Sequence, residues 1–155
     1  MVKAAEPLEP LGRQLVFTAK AMRTVFEGAL ARSGGSLASW VVLSAVAEVH
    51  GMTQAALASH THLEGATITH HVDRLEKAGL IRRVADPADR RVRRLELTPD
   101  GAELHGRMLT EVRKLQSVVM AGLPDDDKAA MGRCLEVIQA NLAALGAPAT
   151  PERLP

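Results

Sequence analysis

The chain has 155 residues, 46% hydrophobic and 2% aromatic, and a formal net charge of +1. That size fits one compact domain with helical extensions around an aliphatic core, and no apolar run approaches the ~18–20 residues of a membrane span. The single cysteine, Cys134, excludes an internal disulfide framework, and the opening MVKAAEPLEP has no apolar export signal, so a cytoplasmic protein is expected.

Residues 8–32 place Leu8, Leu11, Leu15, Ala19, Met22, Phe26 and Leu30 at three/four spacing, which predicts a first helix ended by Ser33-Gly34-Gly35. Ser36 is placed to cap a second helix, running to about Val49 with Trp40, Leu43 and Ala47 on one face. Thr53 caps a short third helix carrying Leu57, and a turn near Thr61-His62 leads to a fourth over residues 65–78. There Ile68, Val72 and Leu75 form the buried stripe, and Gly79 serves as C-cap.

Leu80–Ala85 is predicted as a strand, Asp86-Pro87-Ala88-Asp89 as a turn, and Arg91–Leu97 as the return strand with Leu95 and Leu97 inward. Thr98 and Pro99 start a long fifth helix through Leu104, Met108, Val112, Leu115 and Val119, broken by Gly122-Leu123-Pro124. Asp125, Asp126 and Asp127 suit the positive end of a sixth helix, whose stripe is Met131, Leu135, Ile138, Leu142 and Leu145. The Pro-rich residues 147–155 read as a flexible tail.

The order is α-α-α-α-β-β-α-α: a mainly α chain with a winged helix-turn-helix at 36–98, framed by helical regions 1–35 and 99–146. The outer helices carry apolar stripes that a compact central domain cannot fully cover, so a two-fold dimer through them is expected.

Charge is concentrated. Residues 82–94 hold Arg82, Arg83, Arg90, Arg91, Arg93 and Arg94 against only Asp86 and Asp89. Residues 50–94 are net basic, whereas residues 95–155 are net acidic. A helix followed by a basic β-ribbon can reach two grooves of a DNA duplex at once.

Four stretches resemble the MarR family of transcriptional regulators. Leu37-Ala-Ser-Trp-Val-Val-Leu43 is similar to the family's second helix, and Thr53-Gln-Ala-Ala-Leu-Ala58 to the first helix of its helix-turn-helix. Residues 66–81 resemble the recognition helix and the approach to the wing, and Asp86-Pro-Ala-Asp-Arg-Arg91 with Leu97-Thr-Pro-Asp-Gly101 the wing signature and next helix. Leu63-Glu64-Gly65 and Trp40 look closest to the SlyA-like branch. The resemblance implies a homodimer on pseudo-palindromic operator DNA, usually a repressor, and in many relatives a small aromatic-acid or lipophilic effector that releases the DNA.

Helical geometry separates readers from packers. At about 100° per residue from Ile68, Ala66, His70 and Lys77 project outward, Thr67 and Thr69 flank, Arg74 lies on the outer half and His71 leans inward. Gly65 and Ala66 let the helix N-terminus approach a phosphate. Thr67 and Thr69 offer hydroxyls and methyls to bases. The SlyA-like branch often has Arg where this chain has His70; neutral imidazole cannot make the bidentate guanine contact, so a different base preference is expected. Arg90 is expected in a minor groove, oriented by Asp86 or Asp89, with Arg91 beside it. Arg82, Arg83, Arg93 and Arg94 would meet phosphates or brace the ribbon.

Other readings are weaker. His60, His62, His70, His71 and Glu64 suggest a zinc-responsive regulator, but they do not obviously converge as a zinc site requires. Cys134 reads as a buried, inert thiol. Enzyme chemistry lacks a nucleophile setting, paired carboxylates or a phosphate loop. A winged-helix adaptor that binds protein remains an alternative. For an effector pocket, Met22, Phe26 and Trp40 would form one wall, with Arg13 or Arg23 receiving a carboxylate; Trp40 serves equally well as core.

Overall fold

The computed structural model describes residues 10–61 and 65–146. Leu8, His62, Leu63, Glu64 and the tail from residue 147, each given a role above, lie outside the described residues. The elements run α1 Pro10–Arg32, α2 Leu37–Glu48, α3 Gln54–Thr61, α4 Gly65–Lys77, β1 Ile81–Ala85, β2 Arg93–Leu97, α5 Pro99–Val119 and α6 Asp125–Ala144. This is the expected winged helix, with each strand shorter than its predicted span.

The core forms around α2. Trp40, Val42 and Leu43 are fully buried, and Ser39, Ser44, Ala45 and Val46 nearly so. The sequence pattern predicts one apolar face for this helix; it is instead enclosed on most of its circumference by α1, α3, α4, α5 and β2. A helix apolar all round is what a central position requires. Its start is fixed by a capping box: Ser36 Oγ accepts from Ser39 N–H, and Ser39 Oγ accepts from Ser36 N–H at 2.7 Å.

The stripe Ile68, Val72 and Leu75 seats α4 on this core. Gly79 ends it at φ 71°, where only glycine is comfortable, and Leu80 N–H reaches back to Leu75 C=O at 2.9 Å. The antiparallel wing pairs Ile81 with Leu97 and Ala85 with Arg93 at its two ends. A third segment beside β2 is not foreseen by the sequence pattern: Thr53 bridges to Arg94, and Leu95 N–H donates to Met52 C=O at 2.7 Å. Thr98 caps α5, with Pro99 in the first turn, as expected.

The frame helices are less covered. No described side chain of α6 is buried, and Leu11, Val16, Phe17, Val137, Leu142 and Leu145 stand in solvent. Among the described residues no single helix is long and apolar enough to cross a membrane.

Candidate nucleic-acid interface

Because Ile68, Val72 and Leu75 face the core, Gly65, Ala66, Thr67, Thr69, His70, Arg74 and Lys77 are exposed. His71 is half-buried, as its angle on the helix predicts. Burial, then the neighbouring charges of His70 and Arg74, hold its pKa below the usual 6.5, so it is neutral at physiological pH. Thr69 is exposed but engaged. Its hydroxyl lies 2.7 Å from Gln54 Nε2 and 2.9 Å from Gly65 C=O. Gln54 is the residue that sequence reasoning missed; its only signal was its place directly after the cap Thr53.

The arginines divide into two groups. Arg82 pairs with Glu96 directly across the ladder at 2.7 Å, and Arg94 with Asp86. Arg83 is the least exposed of the three and meets Asp73 at 2.6 Å, Glu76 and, at 3.1 Å, Gln54 Oε1. Burial alone would lower the Arg83 pKa, but the hydrogen bonds to Asp73 and Glu76 outweigh it, and the charge is held more firmly than in free arginine. Arg90, Arg91 and Arg93 are exposed and have no ion-pair partner among the described residues. The charge counted along the sequence therefore overstates what the ribbon offers to an outside anion: half of its arginines are neutralised by carboxylates on α4, on β2 and near the tip.

The tip also corrects two expectations. The hydrogen-bonded turn is not Asp86–Asp89 but Asp89–Val92, closed by Val92 N–H to Asp89 C=O at 2.9 Å. Arg90 and Arg91 thus occupy its two central positions. Neither aspartate orients Arg90. Asp86 accepts Ala88 N–H at 2.7 Å and holds Arg94; Asp89 accepts Arg91 N–H at 2.9 Å. Both behave as turn-forming Asx residues. Asp86 is nearly buried, and the Ala88 N–H first, then Arg94, keep its pKa below the ordinary 3.8.

Of the residues expected to wall an effector pocket, Trp40 packs into the core. Trp40 is fully buried, edge-on to Phe26 (centroids 6.1 Å) and stacked on His105 (5.7 Å). Arg13 lies roughly 20 Å from Phe26 along α1, at ~1.5 Å rise per residue, and Met22 is half-buried on the same helix. Trp40 and Leu30 are absorbed by the core, with Phe26 packed against it. A cleft of about 580 Å³ opens instead between α1, α2 and α4, lined by Arg23, Ala38, Val41, Thr67, His71 and Arg74. Arg23, the other expected carboxylate receiver, does line it, paired with Glu27 at 2.9 Å.

Cys134 is exposed rather than buried, in an apolar groove with Leu11, Leu15, Met131 and Leu135, because no described residue covers the α6 stripe. Among the described residues no three His, Cys, Asp or Glu side chains gather as a metal site would need.

Comparison with known proteins agrees with this geometry. The MarR family model matches residues 36–92. The uncharacterized HTH-type transcriptional regulator YsmB of Bacillus subtilis (strain 168) is 32% identical over 92 residues, 59% of this chain; the chain spans 63% of that relative's length. The crystal structure of transcriptional regulator PA3341 superposes with a TM-score of 0.72 at 32% identity, over 86% of this chain and 98% of that one. CouR from Rhodococcus jostii RHA1, bound to p-coumaroyl-CoA, gives 0.73 at 27% identity, over 84% and 92%. CouR bound to a 23-mer DNA duplex gives 0.75 at 25%, over 89% and 98%. With the exposed face of α4, the basic wing and the α-α-α-α-β-β-α-α order in place, the chain belongs to the MarR family of transcriptional regulators.

Proposed function

We propose that the protein binds duplex DNA as a homodimer and represses transcription at a pseudo-palindromic operator. The α4 helix of each protomer enters a major groove, and each wing tip an adjacent minor groove. The observation that carries this reading is the pairing of an exposed α4 face with a wing tip whose Arg90 and Arg91 sit, unneutralised by described carboxylates, at the apex of a turn. Gly65 and Ala66 leave the positive end of α4 open to a phosphate. Thr67, Thr69, His70 and Arg74 face the base edges and backbone. Arg90 suits a narrow, electronegative A·T-rich minor groove. Arg91 and Arg93 reach phosphates, while Arg82, tied to Glu96, contributes less. CouR, a relative whose structure is solved bound to a 23-mer DNA duplex, supports the DNA reading.

The frame of residues 1–35 and 99–146 is the dimerisation region in this reading. Its uncovered apolar side chains on α1 and α6 are the surface a second copy would bury. CouR also has a structure with p-coumaroyl-CoA. On that likeness, an aromatic carboxylic acid or its thioester is the effector, received in the cleft beside Arg23 and Arg74.

Fluorescence anisotropy on duplex from the protein's own promoter, run at rising salt with sedimentation to count copies, tests the reading. Two protomers per duplex and a steep loss of affinity with salt are expected. A single protomer, or binding insensitive to salt, would overturn it. Adding p-coumaroyl-CoA or a simple benzoate to the preformed complex tests the effector.

A further inference from the structure

A directed chain of hydrogen bonds runs from the wing to the reading face of α4, and chemistry alone forces its direction. Arg83 Nη2 lies 3.1 Å from the Gln54 carboxamide. A guanidinium only donates, so Gln54 must turn its oxygen to Arg83 and its NH₂ away. That NH₂ sits 2.7 Å from Thr69 Oγ1. Thr69 has one hydroxyl proton, and Gly65 C=O, 2.9 Å away, can only accept it. The Thr69 oxygen must therefore accept from Gln54. Asp73 at 2.6 Å and Glu76, both on α4, fix Arg83 itself. Wing, α3 and α4 are closed into one ring of fixed proton positions.

The consequence falls on the exposed side of Thr69. A free threonine hydroxyl rotates and either donates or accepts, so it discriminates poorly between base edges. Here its proton is committed to Gly65 C=O, and what the exposed side chain retains for an outside group is acceptor electron density and a methyl group. We propose that Gln54 and Arg83 are specificity-determining positioning residues: the Gln54 N–H pins the Thr69 oxygen beside Gly65 C=O, which takes the hydroxyl proton, and so holds Thr69 as an acceptor-only reader. Such a reader favours a base edge that offers an amino donor, adenine N6 or cytosine N4, or a thymine methyl. It disfavours guanine, whose major-groove edge offers only the acceptors N7 and O6. The inference rests on the proposed reading of DNA by α4 and adds which base that helix rejects and why.

Selection from a duplex library randomised across both half-sites provides the test, with circular dichroism to confirm the fold of each variant. Wild type is compared with Gln54→Ala, Arg83→Met, Thr69→Ser and Thr69→Val. Thr69→Val marks the base pair that Thr69 reads. At that pair wild type should reject guanine roughly tenfold, within the range of a good base contact. Gln54→Ala and Arg83→Met should both lose that rejection at that pair while preferences elsewhere stand. Thr69→Ser should keep the rejection and lose the preference for thymine. An even loss of affinity across all positions in Gln54→Ala would mean a merely structural role and would overturn the proposal. So would an unchanged profile. Gln54 lies near the surface, so Gln54→Ala decides the matter even if Arg83→Met fails to fold. If wild type enriches no sequence at all, the DNA reading fails first and the relay with it, an outcome distinct from a sequence-selective wild type whose Gln54 variant is unaltered.

Discussion

Thr98 Oγ1 donates a 2.6 Å hydrogen bond to the carbonyl of Gly79, and the same oxygen accepts Gly101 N–H at 3.1 Å. One hydroxyl thus ties the end of α4 to the first turn of α5. Thr98 N–H adds a bond to Leu80 C=O at 3.1 Å. Gly101 packs so closely here that a β carbon would collide with the Leu80 carbonyl oxygen. Gly101→Ala should therefore destabilise the fold by about 1–3 kcal/mol, the usual range for overpacking. Thr98→Ala, which removes a cap, should lose about 1 kcal/mol. Urea unfolding midpoints check both.

Arg90→Ala should weaken operator binding strongly and leave the melting temperature unchanged, since Arg90 is exposed and braces nothing described. The slope of log affinity against log salt should become shallower by about 0.9 for each phosphate the variant no longer neutralises. Arg82→Ala, which frees Glu96, should cost less affinity than Arg90→Ala. Anisotropy titrations at several salt concentrations separate the two.

Phe17 is 64% exposed on α1 and so contributes little to the fold of one protomer. Phe17→Asp should leave the helical circular dichroism signal of the winged domain intact while shifting the protein to monomer in sedimentation velocity. Operator affinity should fall at least about tenfold with it, because two linked half-sites bind far more tightly than one.

His105 stacks on Trp40, and burial lowers its pKa below the ordinary 6.5. The unfolded chain takes up this proton at a higher pH than the folded one. Stability from the neutral imidazole is therefore complete above about pH 6.5 and declines as pH falls toward the folded value. His71 acts with the same sign. Wild type should unfold at lower urea at about pH 5.5 than at about pH 7.5. His105→Phe, which keeps a ring against Trp40 and removes the titration, should narrow that difference.

The sequence made the fold legible because its punctuation is strong. Ser36, Gly79, Thr98 and Pro99 each sit where a helix begins or ends, and Ile68, Val72 and Leu75 separate the inside of α4 from the outside. The angular reading of His71 and of the outward residues followed from geometry alone. Partner choice was not legible. The same string of arginines contains three tied to carboxylates and, among the described residues, three that are not. The difference depends on which residues β1 and β2 bring opposite each other and on where α4 places Asp73 and Glu76. Trp40 was ambiguous for a related reason: a stripe of large apolar residues looks the same whether it lines a cavity or fills one. Gln54 was invisible because its role depends on residues far away in the chain.

A helix that buries none of its described side chains, as α6 does, gains little folding free energy from the described residues around it. In the proposed dimer, where a second copy supplies the missing cover, its order would vary with how much protein is present, by mass action. Amide hydrogens along α6 should exchange quickly in dilute samples and slowly in concentrated ones, whereas those of α2 should be indifferent to dilution. The cell's supply of the protein would in that way set how much of it is fully folded.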